Sequence, residues 1–258
     1  MKLNMKLVGL IALGVMAATS AGATEWTKTV RVATEGAYPP FNSFDSNKNL
    51  IGFDIDITAA LCAKIKVDCP IVAQDWDGII PGLLANKYDA IIASMSITPE
   101  RKKKVAFTKK YYQSPPRFVA AAKMKMTDTS PAALKGKTIG VQSATTHANY
   151  IEKFYKDSKV KSYGTQDDAN LDLAAGRLDI ILADSLVLLE WMKTDDGKGF
   201  EFVGPKIDDK SVFGEGEGIA VRKEDAHLRD LLDQAILDII ADGTYAKINA
   251  KYFPFSIY

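Results

Sequence analysis

LLANKYDAIIAS, Leu83 to Ser94, and LAAGRLDIILAD, Leu173 to Asp184, are two versions of one pattern. Each runs from a helix end through a basic residue and an aspartate into a short apolar stretch that stops at a polar side chain. An apolar run bounded in this way reads as a strand buried on both faces, with the preceding helix packed on it. A second pair, TVRVATEGAY from Thr29 and TIGVQSATTH from Thr138, repeats a strand that ends in a polar loop. Two separated copies of one βα grammar predict two similar α/β lobes rather than one large sheet.

The rest of the chain fits that plan. Strands are expected over 29–33, 70–73, 89–93, 118–122, 138–141 and 179–183, in largely parallel sheets. Helical patterns lie between them: near Asp54, over Trp76 to Ala85, from Thr98 and over Thr165 to Ala175. Two more, Leu228 to Ala241 and Tyr245 to Tyr252, meet at Gly243. The glycine-rich acidic stretch Gly214 to Gly218 lacks the strand-to-helix setting of a dinucleotide site and reads as a flexible crossing.

The N-terminus carries Lys2 and Lys6, an apolar run from Leu7 to Met16, and small residues ending at Ala21, Gly22 and Ala23. This is the three-part pattern of a secretory leader over residues 1–23, cleaved after Ala23, and it predicts a periplasmic protein. The apolar run is too short to span a bilayer. The whole chain has a formal charge of +1, and loss of the two leader lysines brings it to −1. A near-neutral surface gives no electrostatic reason to expect nucleic acid or acidic membrane as a partner. The two cysteines, Cys62 and Cys69, form a short-range even pair, which in an exported chain reads as a structural disulfide. A metal or redox pair would want a two-residue gap and further ligands nearby, and neither is present.

In open α/β sheets, ligands bind beyond the carboxyl ends of the strands. Those ends here offer Glu35, then Ala93 and Ser94 with Ser96, then Gln142 to His147, and Asp184. Two lobes facing each other would bring these groups to one crevice. Thr98, Pro99 and Glu100 form a well-made helix start that places Arg101 beside Ser94 and Ser96, where a guanidinium can grip a carboxylate with two parallel bonds. Thr145 and Thr146 either cap the next helix or offer a hydroxyl and an amide to a ligand. Glu35 and Asp184 in a desolvated cleft call for a cationic complement. Tyr38 and Trp76 add aromatic faces suited to a cation. His147 and His227 have no HExxH or cysteine partners, and neither a phosphate loop nor a nucleophile elbow is present, so no cofactor and no catalytic residue are expected.

Read in order, ATEGAYPPF, IGFDIDI, the Cys62 and Cys69 pair, DWDGIIPGL, YDAIIASMSITPER, GRLD, VRKED and ADGTYAKINAKYF resemble the polar amino-acid branch of the periplasmic solute-binding proteins that serve ABC importers. The resemblance spans essentially the whole mature chain. It implies the type II periplasmic-binding-protein fold: two α/β lobes joined by two hinge crossings, near Gln113 to Pro116 and Ile207 to Lys210. The first lobe would hold residues 24–114 and a return segment 210–258, and the second lobe residues 115–209. It also implies a monomer that closes around its ligand and docks on an inner-membrane permease. By resemblance, Arg101, with the amides of Ser96 and Thr146, clamps an α-carboxylate. Asp184, with the Ser94 carbonyl and Ser96 hydroxyl, takes the α-ammonium. Tyr38 and Trp76 flank the side chain, and Glu35 meets its distal charge.

Two departures bear on the ligand. Binders of lysine, arginine, ornithine and histidine usually carry Asp where this chain has Glu35, and Phe or Leu where it has Trp76. That pair is more like octopine and nopaline binders, which tend to lack an acid at the position of Asp184. A primary ammonium offers three donors and suits Asp184 better than an opine's substituted nitrogen. The expected ligand is a free cationic amino acid, with an opine as the alternative. An exported dehydratase acting on prephenate or arogenate, with Glu35 as acid or base, is the alternative from another functional class.

Overall fold

A computed structural model of the chain describes residues 29–258. The leader expected over 1–23 and its cleavage after Ala23 lie outside those residues. The first lobe begins with β1 (Val32–Thr34) and a small antiparallel ribbon of β2 (Ala37–Tyr38), β3 (Asn42–Phe44) and β4 (Leu50–Ile51). It continues through α1 (Phe53–Ile65), β5 (Ile71–Ala73), α2 (Trp76–Leu84), β6 (Ala90–Ile91), the single turn α3 (Pro99–Lys102) and β7 (Ala106–Tyr112). The second lobe holds β8 (Pro116–Ala121), β9 (Thr138–Gln142), α4 (Thr146–Phe154), β10 (Lys159–Tyr163) and α5 (Gln166–Ala174). It is completed by β11 (Ile180–Asp184), α6 (Ser185–Trp191), β12 (Phe200–Val203) and α7 (Lys210–Phe213). The chain returns to the first lobe as β13 (Glu217–Val221), α8 (Ala226–Ala241) and α9 (Thr244–Tyr252).

The repeat read in the sequence is a repeat of topology. The first sheet runs β5-β1-β6-β13-β7 and the second β10-β9-β11-β8-β12. In each, the first three strands are parallel and the last two alternate in direction. The expectation of largely parallel sheets therefore holds for only half of each sheet. β8 and β13 are the first strands after the chain changes lobe, and each runs against the parallel neighbour it joins, β11 or β6.

Local sequence explains the helices that frame the cleft. Gly52 precedes α1 at φ 127, and a Cβ there would lie 2.3 Å from the carbonyl oxygen of Phe41. In α8, the buried residues Leu228, Leu232, Ala235, Ile236 and Ile239 recur at helical spacing. They join Phe53, Ile57 and Leu61 of α1 in the main core of the first lobe. The second lobe has its own core around Phe118, Ile139, Val141, Ile151 and Leu182.

Two features depart from the expected crossings. The outgoing one passes from Tyr112 to Pro116. On the return, Ile207 and Phe213 still pack on the second lobe's core, so the chain changes lobe through Gly214 and Gly216, at φ 79 and φ 110. Gly214 to Gly218 also ends inside a buried strand rather than in a flexible segment. Gly218 is needed for close packing, since a Cβ there would meet Ile97 side-chain carbons at 2.7 Å.

Cys62 and Cys69 are bonded, with Cα atoms 6.2 Å apart, and tie the last turn of α1 to the start of β5. Closing so short a loop restricts the unfolded chain by about 2 kcal/mol. Replacing both cysteines by serine is expected to lower the thermal midpoint by several degrees while the chain still folds, as checked by calorimetry. An unchanged midpoint would mean the bond contributes nothing to stability.

Candidate ligand-binding site

The carboxyl ends of β1, β6, β9 and β11 meet between the lobes. Around about 290 Å³ of empty space stand Glu35, Tyr38, Trp76, Ala93, Ser94, Ser96, Arg101, Gln142, Thr145, Thr146, His147 and Asp184. These are all of the residues expected at the site, brought together from segments far apart in the chain.

Four contacts cross from lobe to lobe beside this space. The Tyr38 hydroxyl donates to Asp184 Oδ2 at 2.7 Å, and Gln142 Nε2 donates to Glu35 Oε1 at 2.5 Å. Trp76 Nε1 donates to the carbonyl of Ala144 at 3.1 Å, and Ser143 Oγ donates to Asp77 Oδ1 at 2.9 Å. Three of the four use a side chain of the cavity wall from the first lobe, so closure and the site share the same atoms.

Arg101 is prepared by its own turn. Thr98 caps α3 by accepting from the Arg101 amide at 3.2 Å. The helix is only four residues long, so the dipole expected behind Arg101 is confined to one turn. Its guanidinium donates to the Ser96 carbonyl at 3.0 Å and stands 5.2 Å from the Trp76 ring centre. Among the described residues, no carboxylate forms an ion pair with it. Burial pulls Arg101 down to about 10, an effect that Asp184, Glu217 and Tyr38 oppose. A desolvated guanidinium with unspent donors is a receptor for an anion.

Asp184, 5% exposed, lies opposite. One oxygen takes the Tyr38 hydroxyl, and the other is 3.6 Å from His147 Nε2, a nitrogen with no hydrogen-bond partner among the described residues. Burial and the Asp184 charge push the Tyr38 phenol well above its usual range, so it stays a donor. Glu35 has different neighbours. Burial lifts it to about 7, its bond from Gln142 opposes the rise, and Asp167, Asp75 and Asp77 add to it.

Two hydroxyls at the cavity are engaged within the protein. The Thr145 hydroxyl donates to the Gln142 carbonyl at 2.7 Å and caps α4 by accepting from Ala148 at 3.1 Å, which leaves the amides of the first turn for a ligand. The Ser94 hydroxyl turns away and donates to Asp54 Oδ2 at 3.0 Å, while the residue itself takes a left-handed φ of 54.

Asp54 was not among the expected site residues. It is fully buried beneath the cavity floor, where Asn42, Ser94 and Tyr111 all donate to it. Burial raises it to about 6 against those bonds. Glu217 was missed as well. It is 3% exposed, and burial, with Asp184 nearby, pushes it upward. β13 is buried at every position, so no alternation in its sequence marks Glu217 as inward-facing.

The sequence profile of the bacterial extracellular solute-binding proteins, family 3, matches residues 30–255. The L-arginine-binding protein of Pseudomonas aeruginosa is 45% identical over 258 residues, covering 99% of this chain and 98% of that protein. The lysine/arginine/ornithine-binding periplasmic protein of Escherichia coli is 38% identical over 255 residues, covering 96% and 98%. Among solved structures, an ancestral arginine-binding protein bound to arginine superposes with a TM-score of 0.80 at 38% identity, covering 87% of this chain and 98% of that one.

Glu35 and Asp54, raised to about 7 and about 6, have folded values above their unfolded ones. The folded chain therefore binds more protons than the unfolded chain from about pH 4 to about pH 7, and its stability falls as pH rises through that window. Because Asp54 is buried within the first lobe alone, the ligand-free protein is expected to unfold at a higher temperature near pH 5 than near pH 7.5, and Asp54→Asn should reduce the difference. A midpoint that rises with pH across the window would contradict this.

Proposed function

The chain belongs to the bacterial extracellular solute-binding proteins, family 3, and from that membership we propose that it captures a cationic amino acid, namely arginine, lysine, ornithine or histidine. It does so in the periplasm by hinge closure and delivers the ligand to an inner-membrane ABC permease. It acts as a monomer, as a binding protein and not an enzyme. The leader pattern and the disulfide fit an exported chain, and the relatives above carry names of periplasmic or amino-acid-binding proteins.

One observation carries the ligand reading. Among the described residues, the cavity holds a guanidinium that forms no ion pair, opposite the Asp184 carboxylate, as an amino acid's common end requires, and a separate buried carboxylate, Glu35, whose charged neighbours are acids. In this reading Arg101 binds the α-carboxylate with the amides of Ser96 and Thr146. Asp184, the Ser94 carbonyl and the Ser96 hydroxyl take the α-ammonium, displacing the Tyr38 hydroxyl from one oxygen. Tyr38 and Trp76 flank the aliphatic part. Glu35, oriented by Gln142, receives the distal cation. His147 and Ala93 complete the wall, and Thr145 holds the turn of α4.

The two lobes close as units about the outgoing crossing at Gln113 to Pro116 and the return through Gly214 and Gly216. Closure desolvates Glu35 and Asp184, which costs free energy unless cationic groups accompany them. A ligand with both charges thus favours the closed form by its differential contacts. An opine would supply the distal charge but fewer donors to Asp184.

Calorimetry on residues 24–258, unfolded and refolded to strip bound ligand, should show binding of one or more of the four cationic amino acids and none of glutamate. Tight binding of an acidic or aliphatic amino acid alone would sink the assignment. Arg101→Ala should weaken every ligand by about a hundredfold, and Glu35→Gln should weaken the cationic ones selectively, on the order of tenfold or more. Because a carboxyl near 7 also suits proton transfer, the protein should be incubated with prephenate and arogenate. Appearance of phenylpyruvate or phenylalanine would overturn the non-enzyme reading.

A further inference from the structure

The distal end of the cavity has a feature that the cationic reading leaves unused. Gln142 Nε2 donates one hydrogen to Glu35 Oε1 at 2.5 Å and the other to the Gly164 carbonyl at 3.1 Å. An amide has two such hydrogens, so both are committed and Gln142 cannot turn a donor toward a ligand through this nitrogen. The group presented at this end is the Glu35 carboxyl itself, only 8% exposed. The charged and titratable groups acting on it are Asp75 and Asp77 at the head of α2, Asp167 on α5, and Tyr38 on β2. Every one of them is an acid. Among the described residues, no lysine, arginine or histidine forms an ion pair with Glu35.

A carboxylate so placed needs one positive charge, and either a ligand cation or a proton can supply it. The two solutions present opposite chemistry. The ionised group offers only acceptors, which suit a guanidinium or ammonium, while the protonated group offers an O–H donor, which suits a carbonyl. We propose that the cavity takes a second ligand class: amino acids of about arginine's length whose side chain ends in a neutral carbonyl acceptor, held by protonated Glu35. Citrulline, the ureido counterpart of arginine, is the probe of that class. This inference rests on the cationic-amino-acid reading above. Burial, which lifts the Glu35 carboxyl to about 7, places the exchange within reach of ordinary pH.

The consequence is a ratio. The citrulline complex holds one proton on Glu35 that the arginine complex lacks. The arginine-to-citrulline affinity ratio then falls by up to about tenfold for each pH unit of acidification, over the window between the Glu35 values of the two complexes. The free protein cancels from that ratio. Proton exchange at Asp54 or Glu217, both outside the distal end, enters both affinities and cancels as well.

The test is calorimetry of the refolded secreted protein with arginine and with citrulline at about pH 7 and about pH 5, on wild type, Glu35→Gln and Glu35→Asp. The expected result is a fall in the ratio of at least tenfold for wild type. Glu35→Asp, which keeps a titratable carboxyl, should retain a fall in the same direction. Glu35→Gln, with circular dichroism showing that it folds, should give a low ratio that does not move with pH. A smaller fall in wild type overturns the inference alone, provided arginine binds, and so does an equal fall in Glu35→Gln, which would locate the proton elsewhere. Failure of all four cationic amino acids to bind at about pH 7 overturns the functional reading and this inference with it, whereas failure of arginine alone, with another of the four bound, overturns only the inference.

Discussion

Burying a charge is expensive unless something of opposite sign is buried with it, and this protein buries several around one small space. Arg101 comes from the first lobe and Asp184 from the second. They share a cavity, and among the described residues neither forms an ion pair with an arginine, lysine, aspartate or glutamate. The lobes can hold these groups out of water only by being close together. Position of the lobes and solvation of the charges are therefore one variable. A molecule that presents a carboxylate to one and an ammonium to the other relieves both costs at once.

The framework serves that meeting. Each lobe is a five-stranded sheet with three parallel strands, whose carboxyl ends point polar groups at the cleft, and two further strands that carry the chain across. Below the floor, Asp54 accepts from Asn42, Ser94 and Tyr111. This binds the ribbon, the end of the β6 strand and β7 into one polar cluster and fixes Ser94 in its left-handed turn. Glu217 sits where the returning chain joins the same sheet. Such buried acids do not touch the cavity's proposed ligand, yet they set the backbone whose carbonyls and amides would.

Much of this was legible in the sequence. The paired segments ending at Ser94 and Asp184 marked two equivalent strand ends. The cap formed by Thr98 placed Arg101, and the residues expected at the site do line one cavity. Other parts were hidden for identifiable reasons. Glycine at 214, 216 and 218 reads as looseness, whereas Gly218 is required by close approach to Ile97. Nothing local shows that a distant Asp54 claims the Ser94 hydroxyl, and of the two roles open to Thr145 in the sequence its hydroxyl takes the cap, on the Ala148 amide. Asp54 itself lies in a helix first turn, where acids are ordinary. Its burial depends on Tyr111 and Asn42, far apart in the chain.

The central claim is that the common end and the variable end of one amino acid are read by different groups from both lobes. A crystal structure of the protein grown with arginine tests it most directly. The account predicts the α-carboxylate on Arg101, the α-ammonium on Asp184 and the guanidinium within hydrogen-bond distance of Glu35, between Tyr38 and Trp76. Arginine bound in the reverse sense, or with its guanidinium away from Glu35, would contradict it.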